Sequence, residues 1–119
     1  MSANPDKVEA AQCIPRLAVD PEEMRAHAHD AARLLKTLSN SSRLMVLCSL
    51  AQGEMSVGEI NERVPLSQSA LSQHLAVLRR DGVVQTRRSA QAIYYRLADG
   101  PAGQVIETLH DIFCGSAGA

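Results

Sequence analysis

The segment over residues 56–82 constrains the fold of this chain more than any other. It reads "SVGEINERVPLSQSALSQHLAVLRRDG", and its apolar side chains recur at helical spacing on both sides of Pro65. The spacing predicts a short helix over about 56–64, followed by a longer one that Ser67 caps and Gly82 terminates. Two helices joined by such a tight turn form a helix-turn-helix.

Two short strands are predicted directly after this motif. The stretches "VVQTRR" and "AIYYRL" place alternate side chains on opposite faces and are joined around Ser89–Gln91. Alternation with period two, interrupted by a short connection, is typical of a β-hairpin. A basic hairpin that follows a helix-turn-helix is a wing, so we expect a winged helix-turn-helix.

Three more helices complete the predicted order. The first begins after Asp20, with Pro21 at its first helical position. The second is capped by Ser41 or Ser42 and ends at Gly53, and the last follows the turn "ADGP". The second helix carries one predicted apolar face, and the last helix carries a series of apolar residues. These are Leu44, Leu47, Cys48 and Ala51 on the second, and Val105, Ile106, Leu109, Ile112 and Phe113 on the last. The order is four helices, a hairpin and a final helix.

The predicted fold class is therefore mainly α with a β-hairpin wing. Its 119 residues suit a single domain, which we place at 21–115, with flexible ends at 1–20 and 116–119. A content of 45% hydrophobic and 21% charged residues is ordinary for a soluble protein. There is neither a signal peptide nor an apolar run of about 20 residues, so we expect a cytoplasmic protein without a membrane partner.

The net charge of −1 does not by itself indicate a nucleic-acid partner. Its distribution is more informative, since residues 79–96 hold five arginines against Asp81 alone, a local excess of four positive charges. A basic stripe of this kind is typical of contact with phosphates, although a solvated charged surface is the alternative.

The outward face of the longer helix carries polar side chains near its N-terminal end. They are Gln68, Ser69, Ser72 and Gln73. Side chains of these types can hydrogen-bond to base edges in a major groove, and Ser67 at the helix start can meet a phosphate. Arg87 and Arg88 of the hairpin would reach the DNA backbone or the minor groove. A polar surface helix with capping serines is common, but the adjacent arginine hairpin favours binding to double-stranded DNA.

Two long stretches resemble the ArsR (arsenical-resistance repressor) family of winged-helix regulators. They are "LSNSSRLMVLCSLAQGEMSVGEI" and "LSQSALSQHLAVLRRDGVVQTRRSAQAIYYRL", and the resemblance covers about residues 22–114. It implies a homodimer with the first and last helices at the interface. It also implies a repressor that binds inverted-repeat operators and releases them when an effector binds. By the same resemblance, the four polar residues of the longer helix occupy the DNA-reading positions.

The metal sites of the family's sensors are not filled in this sequence. Ser56 and Gly58 stand where arsenic and lead sensors carry two cysteines, and Pro101 replaces a histidine of the zinc sensors. A serine hydroxyl is a poor ligand for a soft metal, and glycine offers no ligand. Glu107 and His110 could at most form a weak site, so we expect neither a metal nor a cofactor.

Cys48 and Cys114 are the chemically reactive residues that remain on the predicted domain. Either alone would more often be an inert packing residue. Their joint placement on the second and last helices resembles the persulfide-sensing subgroup of the family that includes BigR, SqrR and YgaV. The resemblance implies a dithiol switch: a persulfide or polysulfide links the two thiols and DNA is released. Genes for sulfide oxidation and detoxification would then be the targets.

Other functions stay open at this point. A disulfide switch for peroxide and a metal-sensing repressor would use the same fold, and a thiol enzyme is a more remote alternative. No Cys–His–acid pattern or cofactor motif favours an enzyme. Cys13 lies in a segment flanked by prolines, outside the predicted domain. We therefore predict that Cys13 is dispensable for switching.

Overall fold

The structure, a computed structural model, describes residues 20–115. Cys13 and the predicted flexible ends, apart from residue 20, lie outside the described residues. The chain divides between Ala31 and Ala32 into two units, and all packing reported below belongs to the second. None of the described helices is long and apolar enough to cross a membrane.

The described elements follow the order predicted from the sequence, with one short strand added. They are α1 (Pro21–Leu38), α2 (Ser41–Leu50), β1 (Met55–Ser56), α3 (Val57–Arg63), α4 (Gln68–Arg80), β2 (Val84–Ser89), β3 (Ala92–Leu97) and α5 (Pro101–His110). A π-helical turn over Asp111–Gly115 continues α5. The predicted winged helix-turn-helix is confirmed: α3 and α4 form the helix pair, and β2 and β3 form the wing.

Side-chain caps determine where the helices of the helix-turn-helix begin. Ser56 and Glu59 form a capping box on α3, in which each side chain accepts a hydrogen bond from the other's backbone N–H, at 3.2 and 2.8 Å. Ser67 Oγ accepts from the Ala70 N–H at 3.1 Å and starts α4 as predicted. Gly82 has a φ of +73°, a left-handed conformation that glycine adopts without steric cost, and it ends the helix.

The predicted cap of α2 is wrong. Asn40, rather than Ser41 or Ser42, caps this helix, since its Oδ1 accepts from the Arg43 N–H at 3.0 Å while its own backbone stays extended. Ser41 is the first helical residue. The stretch "SNSS" offers four residues that favour N-caps, and the backbone geometry alone selects one of them.

β1 is a strand that the sequence did not indicate. It pairs antiparallel with β3, with Met55 opposite Tyr95 and Ser56 opposite Tyr94. β3 is therefore the central strand of a three-stranded sheet in the order β1-β3-β2. Because β1 runs directly into α3, backbone hydrogen bonds join the wing to the start of the helix-turn-helix.

The core of the second unit is aliphatic and is shared by the helices and the sheet. The stripe predicted on α4, Leu71, Leu75 and Leu78, is buried. On α2 the buried residues are Val46, Leu47 and Leu50, so the predicted inward face is only partly correct. Leu44 and Cys48 are half-buried at its edge, and Ala51 is exposed.

The apolar residues of the last helix divide between the core and the surface. Ala102 and Ile106 are buried, whereas Ile112 and Phe113 are 61% and 76% exposed. In the sequence, Ile112 and Phe113 continue the apolar series of the last helix. They lie in the π-helical turn, whose larger number of residues per turn rotates them away from the face that α5 buries.

Candidate functional site

The N-terminal half of α4 presents a polar surface to solvent. We define the reading surface as its exposed residues Gln68, Ser69, Ser72 and Gln73. The opposite face of α4, which carries Leu71 and Leu75, is buried. With 13 residues, α4 is about 20 Å long, and a DNA major groove about 12 Å wide admits such a helix.

Ser67 contributes first to the structure of this surface. Its hydroxyl oxygen accepts the Ala70 N–H and lies 3.5 Å from Ser69 Oγ. The hydroxyl can still donate one hydrogen bond. Ser67 therefore holds the start of α4 in a helical geometry, and its cap uses the hydroxyl only as an acceptor.

The two arginines of the wing have different surroundings. Arg87 forms a bidentate ion pair with Glu54, with nitrogen–oxygen distances of 2.7 and 2.8 Å, and its guanidinium lies 4.8 Å from the centre of the Tyr94 ring. Hydrogen bonding in this pair lowers the pKa of Glu54 and raises the pKa of Arg87. Arg88 is exposed, and within residues 20–115 no carboxylate oxygen lies within 4 Å of its guanidinium. Arg87 is therefore fixed by contacts within the protein, whereas Arg88 is exposed to solvent.

Asp81 links the end of α4 to the last turns of α1. Its side chain is only 8% exposed and accepts hydrogen bonds from Thr37 Oγ1, from Arg80 Nε at 3.1 Å and from Arg33 Nη2 at 3.3 Å. The hydrogen bond from Thr37, together with those from Arg80 and Arg33, lowers the pKa of Asp81 from 3.8 to about 2. The orientation of α4 therefore depends on a charged contact at its C-terminal end.

Arg43 belongs to the same region of the molecule. Its Nε donates to the Thr37 carbonyl oxygen at 2.6 Å, and its Nη1 lies 3.5 Å from His74 Nδ1. These contacts direct the guanidinium toward α1 and α4. Arg43 is therefore engaged there and is not an activating group for Cys48.

Cys48 and Cys114 are both free thiols and lie on neighbouring elements. α2, which carries Cys48, packs against α5, and the turn that continues α5 carries Cys114. Burial raises the pKa of Cys48, and negative charge at Cys114 raises it further. The two thiols are therefore close enough to interact electrostatically.

An open groove of about 450 Å³ adjoins Cys48 between α2 and α5. Its lining residues are Cys48, Ala51, Gln52, Leu97, Gly103, Ile106, Glu107, His110 and Asp111. Two of these are carboxylates, while the one side chain in the set that can carry positive charge is a histidine. The groove is thus acidic beside an apolar wall.

The positions where metal sensors of this type carry ligands have structural uses here. Ser56 caps α3, Gly58 lies in its first turn, and Pro101 is the first residue of α5. Glu107 and His110 line the groove. Across residues 20–115 there is no group of three or more His, Cys, Asp or Glu side chains placed to hold a metal ion.

Sequence reasoning missed Glu54, Thr37 and the role of Asp81. Glu54 is 33 residues from Arg87, and Asp81 is 44 residues from Thr37. Residues so far apart in the sequence form no spacing pattern from which the contact could be predicted. The only signal for Asp81 was its position as the single carboxylate within a run of arginines.

An exposed polar helix beside a basic wing defines a winged helix-turn-helix DNA-binding protein. A family model described as "Bacterial regulatory protein, arsR family" matches residues 40–86. The biofilm growth-associated repressor of Xylella fastidiosa is 47% identical over 93 residues, which cover 78% of this chain and 82% of that protein. The chain belongs to the ArsR family of transcriptional regulators, which confirms the resemblance noted in its sequence.

Two further proteins extend this comparison. The transcriptional activator HlyU of Vibrio cholerae is 50% identical over 93 residues, which cover 78% of this chain and 86% of that protein. The crystal structure of the transcriptional repressor BigR from Xylella fastidiosa is 46% identical and superposes with a TM-score of 0.74. The match covers 81% of this chain and 98% of that one. These relatives are regulators, so the chain is a DNA-binding regulator and not an enzyme.

Proposed function

We propose that this chain is a homodimeric repressor that leaves an inverted-repeat operator when a persulfide or polysulfide joins Cys48 to Cys114. Its proposed targets are genes for sulfide oxidation and detoxification. The observation that carries the proposal is the pair of free, interacting thiols on two helices that pack together. A relative with 47% identity is named a repressor, which supports the direction of regulation.

Dimerisation is supported by an apolar surface that one copy leaves in contact with water. Leu35, Ile112 and Phe113 are 59%, 61% and 76% exposed. Large exposed apolar side chains commonly mark contact with another protein. A second copy of the chain would bury them and would set two α4 helices at a fixed separation, which an inverted repeat requires at about 34 Å.

A bridge between the thiols would change the separation of the two α4 helices of the dimer, because it would alter how α2 and α5 pack. α2 packs against both α4 and α5. A covalent link from Cys48 to the turn after α5 would tie α2 to the element that carries the proposed dimer surface. The link would therefore favour one orientation of the reading surfaces over another, and an unfavourable orientation weakens binding to both half-sites at once.

Bridges with added sulfur atoms would tolerate a wider separation of the two thiols than a disulfide does. A simple disulfide requires Cα atoms about 4.4–6.8 Å apart, and two helices whose axes lie about 8–10 Å apart need not bring a given pair of thiols that close. A bridge of three or more sulfurs spans a wider gap with less strain. We therefore expect the pair to respond to persulfide in preference to peroxide.

The decisive experiment measures DNA affinity and intact protein mass on the same samples. The probe is a labelled duplex that the reduced protein selects from random-sequence DNA. Persulfide should add bridging sulfur atoms between Cys48 and Cys114 and release the duplex, whereas equimolar peroxide should do neither. A plain disulfide formed equally readily by peroxide would instead support a peroxide-responsive repressor.

Replacing Gln73 with alanine should relax the sequence preference of the protein. A polar side chain on the reading surface discriminates among bases by hydrogen bonds, and each lost base contact costs about 1–3 kcal/mol. Competition between the selected duplex and single-base variants measures the change. Gln104→Ala, on the exposed side of α5, is the matched control and should keep the preference. Unchanged discrimination by Gln73→Ala would remove this residue from the reading surface.

Replacing Arg88 with alanine should weaken binding to every duplex alike. Its exposed guanidinium is free to contact phosphate, and each phosphate contact contributes about 0.9 to the slope of log affinity against log salt concentration. Titrations at several salt concentrations should show a shallower slope for Arg88→Ala. Arg88→Lys should keep most of the slope, since it keeps the charge. An unchanged slope for Arg88→Ala would show that the wing does not touch the DNA backbone there.

A further inference from the structure

The thiols of Cys48 and Cys114 meet the solvent in different ways. Cys114 is exposed on the turn after α5, whereas Cys48 is half-buried and packs against the aliphatic core. A sulfur donor from solution can reach Cys114 without displacing any other side chain. Cys48 faces the groove between α2 and α5, where it lines the wall with apolar and charged side chains.

The groove also makes the surroundings of Cys48 unfavourable for a thiolate. Glu107 and Asp111 contribute negative charge to its lining, and His110 is the one titratable base there. Burial raises the pKa of Cys48, and negative charge at Cys114 raises it further. The thiolate is the nucleophile in sulfur exchange, so Cys48 is a slow first attacker.

Cys114 lies close to Cys48, the thiol that lines the groove. Negative charge at Cys114 raises the pKa of Cys48, and Asp111, in the same turn as Cys114, lines the groove together with Cys48. Phe113 is one position away and so points in a different direction. A partner that covered Phe113 would therefore leave the path between Cys114 and the groove open.

We propose that Cys114 takes the sulfur from the donor and that Cys48 then resolves the product, which fixes the order of the two steps in the switch. This assignment rests on the proposed dithiol function. The exposed position of Cys114 and the recessed position of Cys48 carry it. Cys48 is thus protected from direct reaction with the donor. It reacts instead with the sulfur that Cys114 carries and holds beside it.

The first step transfers sulfane sulfur. The Cys114 thiolate attacks the outer sulfur of a donor R–S–SH, the S–S bond of the donor breaks, and the thiol RSH leaves after it takes up a proton. Cys114 becomes a persulfide, Cys114–S–SH. A second donor extends it by the same exchange to Cys114–S–S–SH and releases a second RSH.

The second step closes the bridge without any other oxidant. The Cys48 thiolate attacks the middle sulfur of Cys114–S–S–SH, the terminal S–S bond breaks, and HS⁻ leaves and is protonated. The product is a trisulfide between the two cysteines. The thiols are oxidised by two electrons in total, and one sulfane sulfur of the donors is reduced to sulfide. A bridge with one more sulfur requires one more donor.

A single-turnover experiment tests the order. Full-length Cys48→Ser and Cys114→Ser proteins, both in a Cys13→Ser background, are mixed with cysteine persulfide, and intact mass is followed over time. Cys48→Ser should gain sulfur at the initial rate of the parent and accumulate it. Cys114→Ser should gain sulfur at least about tenfold more slowly, since its remaining thiol is recessed. Faster loading of Cys114→Ser, or equal rates, would overturn the order.

Failure of the switch itself would look different. If neither variant gains sulfur and the parent forms no bridge, then both the proposed function and the order of attack are wrong. A bridge in the parent together with equal loading of the two variants overturns the order alone. The two failures are therefore distinguishable in one set of mass spectra.

The acidic lining gives a second test in the Cys114→Ser background. Adding Glu107→Gln and Asp111→Asn should speed alkylation of Cys48 by iodoacetamide about two- to fivefold at low salt, because less negative charge opposes its thiolate. Glu62→Gln, an exposed carboxylate on α3 that does not line the groove, should leave the rate unchanged. Equal alkylation rates in all three proteins would show that the carboxylates of the groove do not slow the reaction of Cys48.

Discussion

Replacing either Cys48 or Cys114 with serine is expected to abolish release from DNA by persulfide. A bridge requires a sulfur at both ends, and a serine oxygen cannot accept sulfane sulfur under these conditions. The parent should lose about 5–150-fold in affinity on bridging, the range of typical coupling free energies, whereas each variant should keep the affinity of the reduced protein. Anisotropy titrations before and after treatment with persulfide measure this difference.

Cys13→Ser is the control for these variants. Cys13 lies outside the described residues, and the sequence predicts that it is dispensable, so Cys13→Ser should release DNA as the parent does. Loss of release in Cys13→Ser alone would make the N-terminal segment part of the sensor. Release by both Cys48→Ser and Cys114→Ser would contradict the dithiol mechanism.

Asp81→Ala is expected to lower the free energy of unfolding by about 2–4 kcal/mol at pH 7. The change removes a largely buried carboxylate that accepts hydrogen bonds from Thr37, Arg80 and Arg33. It also takes a partner from the buried Thr37 hydroxyl and leaves two arginines unpaired. Urea unfolding of both proteins measures the loss. Reduced DNA affinity should accompany it, because Asp81 positions the end of α4.

The contribution of Asp81 should depend on pH with a known sign. Its pKa is lowered from 3.8 to about 2 in the folded protein, so the folded state favours the ionised carboxylate. The stabilisation is present in full above about pH 4 and is lost as the pH falls toward 2. The shift corresponds to about 2.4 kcal/mol at most, and screening around the exposed arginines reduces it to about 1–2 kcal/mol. The difference between parent and Asp81→Asn should therefore shrink from pH 5 to pH 2.

Asp111→Ala is the matched control for Asp81→Ala. The Asp111 side chain is 74% exposed, and its contact with the neighbouring His110 side chain is long, at 4.0 Å. Its removal should change the free energy of unfolding by no more than about 0.5 kcal/mol. An equally small change for Asp81→Ala would show that the contact between α1 and α4 does not stabilise the fold.

The helix-turn-helix could be predicted from the sequence because every signal for it is local. Ser67 and Gly82 lie at the ends of one helix, and the apolar stripe of that helix has the helical period. β1 escaped notice because two residues show no periodicity and its partner strand begins 36 residues after it ends. Likewise, Ile112 and Phe113 follow the helical period in sequence, but the π-helical turn changes the rotation per residue.

In the candidate site, too, features that depend on local spacing could be predicted, and contacts between residues remote in sequence could not. The residues of the reading surface could be predicted, since four polar positions on one helical face follow from spacing alone. The different roles of Arg87 and Arg88 could not, because Glu54 is remote in sequence and reaches Arg87 only when the sheet has formed. The half-exposed position of Cys48 was also out of reach, since the helical spacing placed Cys48 on the inward face and the structure buries Val46 instead.

The ion pair between Glu54 and Arg87 balances the charge of one wing arginine before any DNA binds. The carboxylate binds Nε and Nη2 of the guanidinium, so a DNA phosphate that contacts Arg87 would meet a charge that is already balanced. An arginine whose charge is already balanced contributes less to the net release of cations than a free one does, so the salt dependence should report fewer contacts than the arginines of the wing suggest. The shape of the wing, which this pair and the Tyr94 ring maintain, is then preserved in the free protein before any DNA arrives.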